Sequence, residues 1–542
     1  MNAPTDDLLT VAEASGYRRT GLHRDVVDFL ERLARRSDRV HLTSLGRSGL
    51  GQDVVVAVLS AHGIRTPEAA RASGLPVVLV LGNIHAGEVE AKESCLALAR
   101  DVALASGGLG RLCERAVLLL CPDYNPDGND RIDVRNRALD LSRLEGQIGP
   151  EGGVGTRYTG EGWNLNRDFT KQDAVETRLL AAFMDAWRPH VVADGHTTDG
   201  SIHGYELTYD TSRNLASCPR GPALFVRDRL LPEVTAGLRA RTGLRTWWYG
   251  NFRDNLDPTK GWDSYPPLAR YGSHFRGLLG TMDVLLEGYS YVDFRTRCRV
   301  MYEILVELFD RVGAQGAEVV ATVARAAADT VARGRDPRPG DLVGIDYGTP
   351  VRGADGALSF RHPGHPLLDH DVEAFDLESQ RLRRVPGTER RSYRATFYGR
   401  YEPSVSVERP WAYVVPASRT AAIERVRTHR LEHLVVRRAG EVGAEAYRVV
   451  GREPTASPDV GDRPRTETVF RVEAAPERLA LAPGDVVVPT AQPWGHLAVY
   501  LLEPHADDGL ARWGCFDDVA VGATFPVRRL RSPVALPADR PS

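Results

Sequence analysis

Short apolar runs alternate with segments of helical periodicity from about residue 19 to residue 331. The runs Val77–Leu81 and Val117–Cys121 predict buried strands, because each is short, wholly apolar and stopped by a glycine or a proline. Two further strands are predicted at His190–Ala193 and Met282–Leu286. Apolar residues at helical spacing predict helices at Glu88–Leu104, Val175–Trp187, Val300–Phe309 and Val319–Ala332. This alternation predicts an α/β fold with a mixed, largely parallel sheet and helices on both faces.

The pattern changes after Arg333–Gly340, a segment of arginine, proline and glycine that is typical of a linker. Beyond it, short strands are predicted at Tyr393–Tyr398, Ala412–Val415, Glu467–Val472, Asp485–Val488 and Leu497–Leu502, with one helix at Ser418–His429. The sequence therefore predicts an N-terminal tail (1–18), an α/β domain (19–332), a linker (333–341) and a mainly β domain (342–542).

Charge and composition restrict the possible partners and the location. Lysine and arginine number 69 against 72 aspartates and glutamates, so a net charge of −3 gives no case for binding nucleic acid. No apolar run approaches the roughly 20 residues of a membrane-spanning helix, and the N-terminus has no secretory pattern. Six scattered cysteines without a C-x-x-C pair are typical of free thiols. These features predict a cytoplasmic protein without a membrane partner; the oligomeric state stays open.

Candidate metal chemistry begins with the H-x-x-E pair His85 and Glu88, which can supply a nitrogen and an oxygen ligand from one short segment. Three more such pairs occur by chance or for other reasons, starting at His203, His370 and His429. Only the first pair follows a strong buried strand and opens a helix. In α/β sheets, ligands gather beyond the carboxyl ends of the strands, which favours His85 and Glu88.

Other polar residues follow the remaining predicted strands. Asn125–Gly128 follows the second strand, Asp194–His196 follows the third, and Glu287 ends the fourth. Because these strand ends should meet at one edge of the sheet, His196 is the natural third ligand beside His85 and Glu88. Two histidines and one glutamate leave a coordination position open for water or substrate, as in a catalytic zinc site. Glu287 is then placed to act as general base toward the attacking water.

Several dispersed motifs occur in the order seen in one known family. They are Leu45–Ser48 with Gly51, Gly82–Glu88, Asn125–Gly128, Asn164–Phe169, Asp194–His196 and Leu286–Glu287. In this order they resemble the M14 family of zinc carboxypeptidases, in particular larger bacterial members with an extra C-terminal domain. The resemblance covers about residues 19–309. It implies a zinc carboxypeptidase-like fold, one Zn²⁺ per chain, and cleavage of a C-terminal peptide or amide bond.

The resemblance also implies substrate-binding roles. Asn166 and Arg167 match the pair that binds the terminal carboxylate of the substrate, a task that suits the forked guanidinium of arginine. The family places an oxyanion-stabilising arginine between the Asn125–Gly128 motif and this pair. Arg135 is preferred for that role, with Arg137, and also Arg131 or Arg143, left open. Tyr265 is expected to close over the substrate, with Tyr271 as its rival.

Two other functions compete with the carboxypeptidase. An amidohydrolase or deacylase that acts on a small carboxylate-bearing conjugate would have a nearly identical site. A catalytically silent binding protein could keep the fold, although the intact His85, Glu88, His196 and Glu287 argue against it. A serine hydrolase and a P-loop nucleotidase are disfavoured, since neither a G-x-S-x-G nor a G-x-x-x-x-G-K-[ST] motif occurs. The side chain preferred at the cleaved residue is not predicted.

Overall fold

The computed structural model describes residues 8–353, 357–375, 390–456 and 466–540. Through residue 335, strands alternate with helices. The strands of this part are β1 (Val40–Arg47), β2 (Asp53–Leu59), β3 (Val77–Gly82), β4 (Val117–Cys121), β5 (Val191–Thr198), β6 (Leu207–Asp210), β7 (Thr246–Trp248), β8 (Asn251–Phe252), β9 (Trp262–Asp263) and β10 (Met282–Tyr289). The helices are α1 (Val11–Ala14), α2 (His23–Ala34), α3 (Pro67–Ser73), α4 (Glu90–Ala103), α5 (Arg111–Arg115), α6 (Pro126–Asn129), α7 (Val175–Trp187), α8 (Arg220–Phe225), α9 (Leu231–Thr242), α10 (Gly272–Leu278), α11 (Phe294–Ala314) and α12 (Gly316–Arg335).

One eight-stranded sheet organises this part of the chain, in the order β1-β2-β4-β3-β5-β10-β6-β7. The four central strands β4, β3, β5 and β10 are mutually parallel. Antiparallel pairs join β1 to β2, β2 to β4, and β10 to β6. The predicted mixed, largely parallel sheet is therefore confirmed.

Helices cover both faces of the sheet, as the side chains of β3 show. Val78 and Val80 pack in a core shared with α2, α4 and α11, whereas Val77 and Leu79 pack in a second core shared with α7 and α10. All of these side chains are buried. A strand with apolar cores on both sides has an unbroken apolar sequence, which explains the pattern that predicted it.

The C-terminal region, from residue 342 onward, is rich in strands. They are β11 (Leu342–Asp346), β12 (Thr349–Arg352), β13 (Leu358–Arg361), β14 (His365–Phe375), β15 (Arg390–Arg400), β16 (Val405–Glu408), β17 (Ala412–Val415), β18 (Leu434–Val436), β19 (Gly440–Ala456), β20 (Thr466–Leu481), β21 (Val486–Pro489), β22 (Arg528–Leu530) and β23 (Ala538–Asp539), with helices α13 (Thr420–Thr428) and α14 (Gly495–Leu502). Seven of the strands form one sheet, in the order β20-β19-β22-β17-β21-β18-β23. The expected β-rich region after the α/β part is thus confirmed.

One predicted element of this region is wrong. Leu497–Leu502 was expected to be a strand, but these residues lie in helix α14, every residue of which is buried. A short apolar run buried on all sides has no polar face, so its periodicity cannot distinguish helix from strand.

The two parts of the chain share a sheet. Strand β9 of the first part pairs in parallel with β15 of the C-terminal region, which gives a four-stranded sheet in the order β14-β15-β9-β8. The predicted linker overlaps the end of α12, and the division into domains stays a prediction. Among the described residues, no helix combines the length and the apolar character needed to cross a membrane.

Candidate active site

Three neighbouring strands end at the same edge of the sheet and deliver the candidate residues there. Strands β5 and β10 are parallel, and their register places Glu287 directly beside His196. Strand β3 lies on the other side of β5, with Gly82 beside Gly195. The loop that follows β3 therefore starts next to the end of β5.

The turn after β3 depends on Asn83. This residue has a φ of 66°, a left-handed conformation that asparagine tolerates better than most residues. Its side-chain amide donates to Asp123 Oδ1 at 2.6 Å, and this hydrogen bond stabilises the turn. The chain then makes a tight turn in which Glu88 N donates to His85 O at 2.9 Å. Helix α4 begins at Glu90, so both candidate ligands lie in the loop before it.

The structure brings His85, Glu88 and His196 together in one buried group. The Nδ1 atom of His85 lies 3.1 Å from Glu88 Oε1, that of His196 lies 3.0 Å from Glu88 Oε2, and the two Nδ1 atoms are 3.2 Å apart. Ligands on a tetrahedral zinc with bonds of roughly 2.0–2.1 Å are about 3.3 Å apart. The spacing and chemistry of these three residues therefore fit one zinc ion.

The second ring nitrogen of each histidine faces an oxygen. The Nε2 atom of His85 is 3.1 Å from Asn164 Oδ1, and that of His196 is 3.3 Å from Asp194 Oδ1. Asp194 is held in turn by the buried Arg276, whose Nη2 donates to Asp194 Oδ2 at 2.7 Å. Such outer partners fix the tautomer that presents Nδ1 to a metal, and they make the imidazole a better ligand.

The electrostatics of this group favour a cation. Burial alone would lower the pKa of His196, but the carboxylates of Asp194 and Glu88 outweigh it and raise this pKa to about 10. At His85, burial and the nearby Arg157 lower the pKa to about 3, so this ring stays neutral. A neutral imidazole is the form that binds metal. The buried carboxylates thus favour positive charge at this group, which a bound metal cation would supply.

Glu287 lies at the side of this group without being part of it. Its carboxyl is largely buried and lines the same cleft as the three candidate ligands. Burial raises the pKa of Glu287 to about 8, and the nearby positive charge of His196 opposes that shift only in part. A raised pKa makes the Glu287 carboxylate a stronger base than an ordinary glutamate, which suits a general base.

Two arginines reach Glu88. Arg137 donates from Nη1 to Glu88 Oε1 at 3.0 Å, from Nη2 to Thr197 O at 3.1 Å, and from Nε to Gln147 Oε1 at 2.8 Å. Arg157 donates from Nη1 to the same Glu88 oxygen at 3.3 Å. The donors of Arg137 are thus occupied by protein acceptors. In the described part of the chain, Arg157 keeps donors that can face a substrate.

Arg135, the arginine preferred from the sequence, is not among the residues that line the cleft. Its side chain is 87% exposed and forms an ion pair with Asp133, away from the cleft. Arg137 has a φ of 51°, and this left-handed turn directs its side chain inward. Nothing in the sequence distinguishes the two arginines, since they are two residues apart in a loop without periodicity.

Asn166 and Arg167 both line the cleft. The side-chain oxygen of Asn166 accepts from Gly272 N at 2.9 Å, which orients the amide. The guanidinium of Arg167 lies 4.5 Å above the ring of Tyr271 and donates to Asn166 O at 2.9 Å. The pair is therefore positioned at the cleft by its contacts with residues 271 and 272.

Tyr265 and Tyr271, the two tyrosines that the sequence left open, both line the cleft, together with Tyr249. The ring of Tyr265 stacks on His274 with a centroid distance of 4.8 Å, and it meets Tyr249 edge-on at 5.4 Å. We refer to residues 249–271, which carry the three tyrosines, as the tyrosine segment. This segment forms one side of the cleft.

The cleft itself encloses about 310 Å³, enough for a single amino-acid residue and its neighbours. It is lined by His85, Glu88, Arg137, Arg157, Asn166, Arg167, His196, Thr197, Thr198, Asp199, Gly200, Tyr249, Asn251, Tyr265, Tyr271, Ser273, Leu285 and Glu287. A larger cavity of about 510 Å³ lies elsewhere, between α8 and α12, and contains none of these residues.

Sequence reasoning missed three residues of this site. Arg157 lies in the interval searched for an oxyanion arginine, but it stands in a loop without any pattern that marks it. Asn164 belongs to the quoted Asn164–Phe169 motif, and its contact with His85 gives it a role that the motif did not. Tyr249 precedes a two-residue strand that is too short to be seen in the sequence.

The other H-x-x-E pairs are not metal groups in the described residues. His203 is buried in a stack of aromatic rings with Tyr289 and Trp262, and His370 stacks on Trp247 with a centroid distance of 4.5 Å. His429 contacts Thr170 O and Gln172. Position at a strand end thus distinguishes His85 from the rest.

Two histidines and one glutamate at the carboxyl edge of an α/β sheet are a ligand set typical of catalytic zinc sites. Residues 26–219 match the Peptidase_M14 family, described as zinc carboxypeptidase. This match covers 194 of the 542 residues, and it confirms the resemblance indicated by the motifs. Glu287 lies beyond the matched residues, so the match does not bear on its role.

Curated relatives match part of the chain. Carboxypeptidase Z of Rattus norvegicus is 30% identical over 168 residues, which cover 29% of this chain and 23% of the relative. Carboxypeptidase D of Mus musculus is 34% identical over 185 residues, or 30% of this chain and 13% of the relative. The alignments thus span less than a quarter of these relatives' lengths.

Among solved structures, the chain is similar to a metallo-carboxypeptidase from Burkholderia cenocepacia, with a TM-score of 0.39 and 14% identity over 54% of this chain and 69% of that one. It is also similar to a Pseudomonas aeruginosa metallo-carboxypeptidase in complex with (2-guanidinoethylmercapto)succinic acid. There the TM-score is 0.37, with 16% identity over 54% of this chain and 69% of that one.

Proposed function

We propose that the protein is a zinc-dependent carboxypeptidase that removes the C-terminal residue of a peptide. The observation that carries this proposal is the group of His85, Glu88 and His196 with Glu287 beside it on the adjacent strand. The M14 match supports the same activity. A silent binding protein would not need a buried carboxylate with a raised pKa next to a metal group.

Each residue of the cleft has a distinct task in this proposal. Zinc, held by the three ligands, would act as a Lewis acid that polarises the scissile carbonyl and lowers the pKa of water. Glu287 accepts the proton of the attacking water and then delivers it to the leaving amine. Its raised pKa suits both steps, since the same group must gain and lose a proton near neutral pH.

The three arginines of the cleft have different roles in this proposal. Arg157, with donors directed toward the cleft, stabilises the negative charge that develops on the carbonyl oxygen. Arg137 holds Glu88 and the end of β5 in place. Arg167 and Asn166 bind the terminal carboxylate of the substrate, because a guanidinium can donate two charge-assisted hydrogen bonds to it. The cytoplasmic location indicated by the sequence stays a prediction.

The oxyanion role of Arg157 makes a quantitative prediction. Arg157→Ala should lower kcat by roughly 100- to 1000-fold, the usual cost of one oxyanion donor. Arg135→Ala is the matched control, because the side chain of this exposed arginine donates to Asp133 outside the cleft, and its loss should leave kcat within about twofold. Steady-state kinetics on one peptide substrate, with zinc content measured in parallel, would test this difference in kcat. Equal losses in both variants would remove Arg157 from this role.

The substrate class is tested with paired peptides. Hydrolysis should be fast for a peptide with a free C-terminus and slower by roughly 100-fold or more for its C-terminal amide, since Arg167 would lose its charged partner. Arg167→Lys should reduce the difference, because an ammonium cannot form the same two-pronged contact.

A panel that adds N-acyl amino acids distinguishes the competing reactions. Cleavage of these conjugates in preference to peptides would establish the deacylase instead. Equal rates on free and amidated peptides would contradict the exopeptidase. A chelator such as 1,10-phenanthroline should abolish hydrolysis in either case, because both reactions use the metal.

A further inference from the structure

The tyrosine segment is attached to the C-terminal region at several points. Strand β9, inside the segment, pairs with β15, and Ser264 N donates to Tyr398 O at 3.2 Å. The guanidinium of Arg253 lies 3.3 Å from the centre of the Tyr398 ring. One side of the cleft is therefore continuous with a sheet of the C-terminal region.

A second attachment lies at the other end of the segment, at Arg270. Its backbone N donates to Asp508 Oδ2 at 2.8 Å, and its Nε donates to Asp508 Oδ1 at 2.7 Å. Its Nη1 donates to Glu467 Oε1 at 2.9 Å. Arg270, Glu467 and Asp508 are all at least 97% buried. A buried ion pair with three directed hydrogen bonds fixes the position of the chain at this residue.

The position of Arg270 matters because of its neighbour. Tyr271 follows directly in the chain and lies under the guanidinium of Arg167. The next residue, Gly272, donates its N–H to Asn166. A displacement of Arg270 would therefore move the two residues that hold the proposed carboxylate-binding pair.

The chain that follows the Asn166–Arg167 pair is attached to the same region. His429 donates from Nε2 to Thr170 O at 3.0 Å, and Arg425 donates to Asp173 Oδ1 at 2.7 Å. The ring of Trp513 lies 4.6 Å from the guanidinium of Arg270 and 4.7 Å from the ammonium of Lys171. One C-terminal side chain thus contacts both substrate-binding segments.

From these contacts we infer that the C-terminal region is the scaffold of the substrate-binding side of the cleft, with Asp508 and Glu467 as positioning residues that act through Arg270. His196 and Glu287 lie on neighbouring strands of the central sheet, and His85 and Glu88 lie in the loop after β3. The inference rests on the proposed function, since it concerns recognition of the same substrate. It predicts that damage to the scaffold impairs binding more than the chemical step.

The test compares two buried carboxylates of the C-terminal region in the full-length protein. Asp508→Asn removes the charge that pairs with Arg270. Glu503→Gln is the matched control: Glu503 is also fully buried and pairs with an arginine, Arg529, but it contacts Tyr413 and Tyr447 instead of the tyrosine segment. Asp508→Asn should raise KM about tenfold or more with kcat within about threefold and normal zinc content, since misplaced binding groups weaken recognition. Glu503→Gln should leave KM unchanged.

Hydrogen exchange provides a second measurement that does not depend on catalysis. In Asp508→Asn, amides of residues 249–271 should exchange faster than in the wild type, while those of β5 and β10 should not change. If Asp508→Asn does not fold, Arg270→Lys serves instead, because it keeps the buried charge and loses the forked contact.

The outcomes separate the two proposals. Unchanged exchange in residues 249–271 together with an unchanged KM would overturn the scaffold role. An equal rise of KM in Glu503→Gln would also overturn it, because general loosening would then explain the effect. If the wild type hydrolyses no peptide, the proposed function fails, while hydrogen exchange still decides whether Asp508 positions the segment.

Discussion

Replacing Glu287 with glutamine should lower kcat by about two to four orders of magnitude, the usual contribution of a general base. Glutamine has nearly the same shape and can occupy the same space at the end of β10, but it cannot accept the proton of the attacking water. Because Glu287 is not among the three candidate ligands, zinc should stay near one ion per chain. Steady-state kinetics and metal analysis of the same preparation measure both quantities.

A second carboxylate of the cleft provides the control for this substitution. Asp199 also lines the cleft, and its Oδ2 accepts a hydrogen bond from Gly146 N at 2.9 Å. It has no proposed part in proton transfer, so Asp199→Asn should lower kcat by less than about tenfold. Comparable losses in the two variants, or near-normal turnover in Glu287→Gln, would exclude Glu287 as the base.

The His196→Ala variant should lose its zinc. Removal of one of three ligands should weaken zinc binding strongly. The effect should exceed the roughly 10- to 100-fold loss that follows when a residue hydrogen-bonded to a ligand is removed. Activity should fall with the metal, since two remaining ligands cannot hold the ion against dialysis. Metal analysis after dialysis against a weak chelator measures the effect, and excess zinc should restore only part of the activity.

His370→Ala is the matched control, because His370 also begins an H-x-x-E pair and is also buried. Its ring stacks on Trp247 and is neither in the candidate ligand group nor in the lining of the cleft, so this variant should retain its zinc. Retention of zinc by His196→Ala, or loss of zinc from His370→Ala, would contradict the assignment of the metal group.

The elements that position the metal group could be predicted because they are buried on both faces of the sheet. Strands β3 and β4 stand out as apolar runs, and the first candidate ligands follow β3 within a few residues. The order of the motifs, taken with the position of each at a strand end, was enough to select His85 among four similar histidines. The parallel register that sets Glu287 beside His196 could only be seen in the structure.

The residues that escaped prediction lie where periodicity carries no information. The choice between Arg135 and Arg137 depends on one left-handed backbone angle in a long loop. Arg157 stands in the same kind of loop, in a chain where arginine is common. Helix α14 was mistaken for a strand because burial on every side removes the polar face that would mark its period.

The pairing of β9 with β15 was hidden for a different reason. Strand β9 is only two residues long, and its partner lies in another part of the chain. Strands this short have no alternation that could be recognised, and their pairing depends on the tertiary contacts around them. The role of the C-terminal region could therefore not be derived from its composition.

The contact between Arg270 and Asp508 joins residues 238 positions apart. During synthesis, the first partner leaves the ribosome long before the second, at a usual rate of about 5–20 residues per second. The central sheet and its candidate metal ligands can form in that interval, whereas the tyrosine segment still lacks its ion pair with Asp508. A nascent chain can therefore order its substrate-binding side only after residue 508 has been made.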